Sequence, residues 1–210
     1  MPIWLELTLV FAAVESLIWT SDGLGWIKWL AGAALLEMVI YSWHKRGDTW
    51  SSLGITSVDW KKDAVLLGFT FLILWEAVML VAEIWNPAVV ADPPVLNVIK
   101  HFFQYLIWAW FQQLAFNGYF VNRLQAVFKN KFYVMIAAGL LFGLVHLPNP
   151  VLVVVTFIGG IVSAYFYGRN RNLWYLAIGH AALAVTIHNF IPMVWHHQMR
   201  IGPGYWAWMP

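Results

Sequence analysis

Two histidines and three amides stand out in a chain that otherwise has few polar groups inside its apolar runs. Gln112, Gln113 and Asn117 fall within one run, His146 closes another, and His180 lies inside a third. Gln113 and Asn117 are one helical turn apart and share a face. Neutral imidazoles ligate metals and move protons near neutral pH, whereas amides do not titrate there, so they position and hydrogen-bond but cannot serve as a base. At membrane depth each such group needs a partner or a task. Interhelical hydrogen bonding accounts for the cluster as well as a reactive site does. A second set, Glu6, Glu15, Glu37, Glu76 and Glu83, lies in the first three runs. These carboxyls are expected to be protonated or paired toward the bundle interior, or near a wet end, although no basic partner is obvious in the sequence.

The elements that hold these side chains must be membrane helices. The chain is 61% hydrophobic and 10% charged, against roughly 45–50% and about 25% in soluble domains. At ~20 apolar residues per span, 210 residues accommodate about seven spans and no soluble domain. Apolar runs occur at about 3–19, 25–43, 64–85, 99–122, 132–147, 151–167 and 173–194. The predicted fold is an all-α polytopic membrane helical bundle forming a single domain over residues 1–210. Cysteine is absent, which removes disulfides, thiolate catalysis, Cys-ligated zinc and iron–sulfur clusters. A net charge of +2 does not point to nucleic acid. The lipid bilayer is the expected partner, and the first run, with no basic leader before it, reads as a retained helix.

Basic residues mark alternate gaps. The stretches 20–24, 86–98 and 148–150 have none, whereas Lys45, Arg46, Lys61, Lys62, Arg123, Lys129, Lys131, Arg169 and Arg171 fill the others. The positive-inside rule then puts the N-terminus in the cytoplasm and the tail at 196–210 outside, in a multi-pass protein of the cell membrane. Measured from the cytoplasmic ends at ~1.5 Å per residue, Gln112, His146 and His180 lie about 16, 21 and 10 Å deep, so one shared interior site is expected. The runs at 132–147 and 151–167 are short and joined only through residues 146–150, which implies tilt, a kink or partial re-entry. Trp4, Trp19, Trp26, Trp43, Trp85, Trp174 and Trp195 sit near run ends and read as an interfacial belt.

Three stretches in order resemble a known pattern. Phe111-Gln-Gln-Leu-Ala-Phe-Asn117 with Gly118 and Tyr119 after it, Phe142-Gly-Leu-Val-His146, and Leu173-Trp-Tyr-Leu-Ala-Ile-Gly-His180 are similar to the motifs of the CPBP family, the type II CAAX prenyl protease and bacteriocin-processing membrane proteins. Trp50-Ser-Ser-Leu-Gly-Ile55 resembles that family's cytoplasmic loop, and the likeness covers about residues 44–190. It implies a CPBP-like helical core, with Gln112, Gln113, Asn117, His146 and His180 at the family's site positions. In the family a Glu pair activates water, and two His with an Asn form the metal or oxyanion site. Here the pair is Gln112 and Gln113, the family's Arg is Asn117 and its Asn is Ala184. His146 and His180 remain as weak metal candidates, since zinc prefers Cys, His and carboxylate to amides. The departures at Asn117 and Ala184 indicate natural divergence rather than engineered inactivation of the Glu pair.

Three functions compete on this reading. The first is a CPBP-like protein without peptidase chemistry that binds, as a subunit or assembly factor among other membrane proteins, and carries no cofactor. The second is an active intramembrane metalloprotease with zinc and a substitute base, for which Glu76, His188 or a first-run carboxylate are the visible candidates. The third is a lipid, isoprenoid or pigment binder, motivated by the 18% aromatic content and by histidines near apolar space.

Overall fold

A backbone that crosses hydrocarbon must satisfy its own hydrogen bonds, and helices do so within one segment. The computed structural model describes residues 1–20, 23, 25–56 and 59–207. Among them the chain forms α1 (Ile3–Thr20), α2 (Ile27–Lys45), α3 (Ala64–Trp85), α4 (Pro87–Ala91), α5 (Val95–Gln113), α6 (Asn122–Val127), α7 (Lys131–Leu144), α8 (Pro150–Arg169), α9 (Leu173–Phe190), α10 (Met193–His196) and α11 (Pro203–Trp206), with no strand. A π-helical segment, Leu114–Val121, carries α5 into α6 without a break. Each expected apolar run overlaps a long helix, the fourth continuing from α5 through the π segment, and the all-α membrane-type fold is as read. By length and composition α1, α3 and α8 can each cross a membrane. With 14 residues, α7 extends only about 21 Å, short of a ~30 Å hydrocarbon layer.

The most extensive helix pair is α7 on α8, and glycines explain it. Gly139 and Gly143 lie one turn apart on α7, and a Cβ at Gly139 would come within 2.8 Å of the Phe157 carbonyl on α8. Gly160 on α8 sits against Gly139 in return, with 3.0 Å between its would-be Cβ and the Gly139 Cα. Small faces of this kind let membrane helices approach until their backbones touch. Beside this pair, α5 packs on α9, α3 on α9, and α1 on α2 and α6. Leu7 and Val10 of α1, Phe116 and Tyr119 of the π segment, Val134 and Phe142 of α7, and Tyr167 of α8 meet in the main apolar core.

The partners missing from the sequence reading of Glu6 come from distant helices. Its carboxylate accepts from Ser42, from Arg46 Nε at 3.2 Å, from Tyr119 at 3.1 Å and from Arg123 Nε at 3.3 Å. Arg123, with its side chain 4% exposed, also pairs with Asp48 at 2.7 Å. This buried ionic knot ties α1, α2, the π segment and α6 together. Trp43 belongs to the same region, and its indole N–H donates to the Gly118 carbonyl at 3.1 Å. It is therefore an inward, hydrogen-bonded residue and not part of an outer belt. Trp4, Trp19, Trp26, Trp85 and Trp174 are exposed, as a belt requires.

The loop at 49–56 is docked rather than free. Ser52 presents its carbonyl to Tyr167 at 3.0 Å, and the Gly54 carbonyl accepts from the Leu173 backbone N–H at 3.1 Å. Gly54 has φ +78° and lies 2.8 Å, by its would-be Cβ, from the Arg171 carbonyl, so only glycine fits there. Nearby, Arg169 donates to Asp63 at 3.1 and 2.6 Å and holds that carboxyl below the usual carboxylate range. At the opposite end, the joint at 146–150 is a turn. Asn149 caps α8 by accepting from the Leu152 N–H, and donates to the carbonyls of His196 and Arg200 at 2.8 and 3.1 Å. The tail thus folds back on the joint, while residues 208–210 and the gap positions Ser21, Asp22 and Leu24 lie outside the described residues.

One expectation for the carboxylates fails. Glu37 and Glu76 lie in the middle of α2 and α3 and are exposed, not turned to the bundle interior. Their helices bury the opposite faces, α2 through Ser42 and α3 through Leu67 and Ala82. A helical register that buries Leu67 and Ala82 necessarily turns Glu76 outward.

Candidate functional site

Four elements converge on the polar cluster. Gln113 ends α5, Asn117 lies in the π segment, Ser163 comes from α8, and His180 from α9. Asn117 Nδ2 donates to Gln113 Oε1 and, at 2.8 Å, to Ser163 Oγ. Ser163 Oγ–H donates to the same Gln113 oxygen at 2.9 Å. With its oxygen committed to two donors, Gln113 must turn its NH₂ toward His180, and Nε2 meets His180 Nδ1 at 3.0 Å. An amide nitrogen only donates, so His180 Nδ1 accepts and the ring proton resides on Nε2. Gln113 is 3% exposed and Asn117 fully buried, and Asn117 Oδ1 has no hydrogen-bond partner.

Gln112 points elsewhere. It accepts from Tyr105 O–H at 3.2 Å, one face round α5 from Gln113. Tyr105 nevertheless reaches the cluster, since its ring lies 5.8 Å from that of His180. His146 stands in the turn after α7, where Nδ1–H donates to the Phe142 carbonyl at 2.7 Å and leaves Nε2 as an acceptor. The two imidazoles flank a single ring, with Phe142 5.2 Å from His146 and 5.7 Å from His180. The expected convergence of His146 and His180 is therefore present in space, with Phe142 between them. The direct hydrogen-bonded core, however, is Gln113, Asn117, Ser163 and His180, with Gln112 and His146 at its margins. Ser163 carried no signal in the sequence, where a serine in an apolar helix looks like any small residue.

Alongside the cluster lies a cavity of about 320 Å³, lined by His101, Gln104, Tyr105, Ala184, Val185, His188, Gln198 and Met199. Ala184 stands where the motif would place an Asn, so the cavity opens next to a side chain that is shorter than the pattern's. His188 does not substitute for the lost Asn. It packs on His101 with ring centroids 5.2 Å apart, while Asn189 Oδ1 lies 3.2 Å from His101 Nδ1.

The donor set does not suit zinc. His180 has its Nδ1 lone pair engaged by Gln113 and its other nitrogen protonated, its hydrogen-bonded neighbours are amides and a hydroxyl, and His146, the one nearby imidazole with a bare nitrogen, stands across the Phe142 ring. Among the described residues, no three His, Cys, Asp or Glu side chains are grouped to hold one ion. A catalytic zinc usually has three such ligands and an open position. The candidate substitute bases also lie apart from the cluster's hydrogen bonds: Glu6 is in its ionic knot, Glu15 accepts from Trp19 at 3.2 Å, and Glu76 is on the outer face of α3.

Residues 94–186, a little under half of the chain, match the family model described as Type II CAAX prenyl endopeptidase Rce1-like. The match contains all three motifs and confirms the likeness read from them, over a narrower stretch than 44–190, with the loop at 50–55 outside it. No curated protein and no solved structure matches the chain.

Proposed function

We propose that this membrane protein, with its type II CAAX endopeptidase-like segment at residues 94–186, has lost peptidase chemistry and works by binding, as a subunit or assembly factor of a membrane complex. The observation that carries the reading is Gln113. At a position where the family's pattern has a Glu, this side chain is spent on hydrogen bonds to Asn117, Ser163 and His180. A general base contributes typically 10²–10⁴-fold, and an amide supplies none of it. The cluster is a polar fastener between α5, the π segment, α8 and α9, with no cofactor and no zinc. The test is a cleavage assay on a prenylated CAAX peptide with the purified protein, together with metal analysis. Wild type and His146→Ala are expected to be equally inert and metal-free. Stoichiometric zinc with cleavage abolished by His146→Ala would make the chain an active protease.

The same reading orients the protein with its N-terminus and basic loops in the cytoplasm and its tail outside. The docked loop at 49–56 and the Asp63–Arg169 pair gather the basic loops at one end of the bundle, which supports it. Reporters fused at Trp50 and after Trp206 are expected on opposite sides. A same-side result would mean an even number of crossings between them and would overturn this orientation of the tail.

A further inference from the structure

A carboxyl in mid-membrane has to be explained, and Glu76 has no explanation inside the chain. At ~1.5 Å per residue it lies about 18 Å from one end of α3 and about 14 Å from the other. Its short side chain cannot reach either headgroup layer. It is exposed, and among the described residues no group forms an ion pair or hydrogen bond with it. Around it on the same outward face are Val65, Phe69, Leu72, Ile73 and Leu80, each exposed. The face is thus a lipid-facing apolar stripe with one acid at its centre and a second, Glu83, two turns further on in the last turn of α3, within reach of the headgroups. Ionisable groups inside spans nearly always face protein or water, where they are paired.

We propose that this face of α3 docks a transmembrane helix of another polypeptide, one that places an Arg or Lys opposite Glu76. The surface rests on the binding role proposed above and gives that role a location and a partner chemistry. A second copy of the chain does not meet the requirement. Lys28 and Lys100 lie in the first two turns of α2 and α5, near helix ends, and Arg123 is buried in the Glu6 knot. On α2 the exposed mid-helix charge is Glu37, so self-association would oppose acid with acid or with hydrocarbon. A cation at matching depth must come from a different chain.

The test uses the full-length protein in phosphatidylcholine vesicles with labelled Leu-rich transmembrane peptides, read by energy transfer. A peptide with one central Arg is expected to bind at least about tenfold tighter than an all-Leu peptide, a difference of ~1.4 kcal/mol. Glu76→Gln should lose that preference, while Glu37→Gln keeps it. Because Glu76 makes no hydrogen bond or ion pair among the described residues, its variants are expected to fold. Glu76→Lys supplies a further check, since it should prefer a peptide with a central Glu. Equal binding of the Arg and all-Leu peptides, or an unchanged preference in Glu76→Gln, would overturn this surface. Neither result bears on the Gln113 cluster, whereas CAAX peptide cleavage would overturn the loss of chemistry and leave the α3 result standing.

Discussion

Glu6→Ala is expected to destabilise the folded protein by about 3 kcal/mol, the lower end of the cost of breaking a buried ion pair from one side. The magnitude follows from what is left behind. Arg123 has a side chain only 4% exposed and would remain buried, with Asp48 at 2.7 Å as its remaining counter-charge. Ser42 and Tyr119 would each lose an acceptor in a dry setting. Arg46, with its side chain 27% exposed, can turn to water, and this relief together with Asp48 holds the cost to the low end. Glu6→Gln keeps the acceptor oxygen but not the charge, so an intermediate loss is expected. A Glu6→Leu, Arg123→Leu double variant should be less unstable than Glu6→Ala. The charges it leaves, Arg46 and Asp48, have side chains 27% and 13% exposed and are the less buried members of the knot. Denaturant unfolding in detergent micelles measures all three. A loss below about 0.5 kcal/mol for Glu6→Ala would mean that the knot behaves as an exposed pair of little energetic consequence.

The sequence made the helices legible because a membrane helix is a local event. An apolar run of sufficient length has few alternatives once its backbone must bond to itself, and the ends of α1, α3 and α8 fall within two residues of the expected runs. The Gln113–Asn117 contact was equally local, one turn along a helix. What stayed hidden depended on distant pairing or on local winding. Glu6 finds Arg46 and Arg123 at separations of 40 and 117 residues, which no periodicity encodes. The π segment Leu114–Val121 has no composition cue, although wider turns of this kind recur at functional sites. Trp43 at a helix end has the profile of a headgroup anchor until Gly118 is seen to accept its N–H. The outward turn of Glu76 was hidden for a related reason. Glu76 and Glu83, seven residues apart, mark one face of α3, but a shared face does not say whether it turns to protein or to lipid, so only the neighbours reveal which side is buried.

Gln113→Glu is expected to invert the tautomer of His180. In the native cluster the amide donates to Nδ1, which holds the proton on Nε2. A carboxylate at the same place has no donor and would set lone pair against lone pair unless the ring proton moved to Nδ1. A hydrogen bond to a charged group contributes about 1.5–3 kcal/mol, so the tautomer ratio should swing by roughly 10- to 150-fold. The surroundings accept the change, because Asn117 Nδ2 and Ser163 Oγ already donate to the Gln113 oxygen and would serve a carboxylate equally. Nitrogen-15 NMR of histidine-labelled protein reads the result, with His180→Ala assigning the signals. If Nε2 stays protonated in Gln113→Glu, the amide is not what sets the ring. The swing has a chemical consequence. An imidazole held at one nitrogen by a carboxylate and bare at the other is the form in which His binds zinc. On the proposed reading, one Glu-to-Gln difference withholds a base, a negative charge and a histidine lone pair together. Asn117, Gln112 and Ala184 remain in the single variant, so recovery of the tautomer is expected without recovery of peptide cleavage.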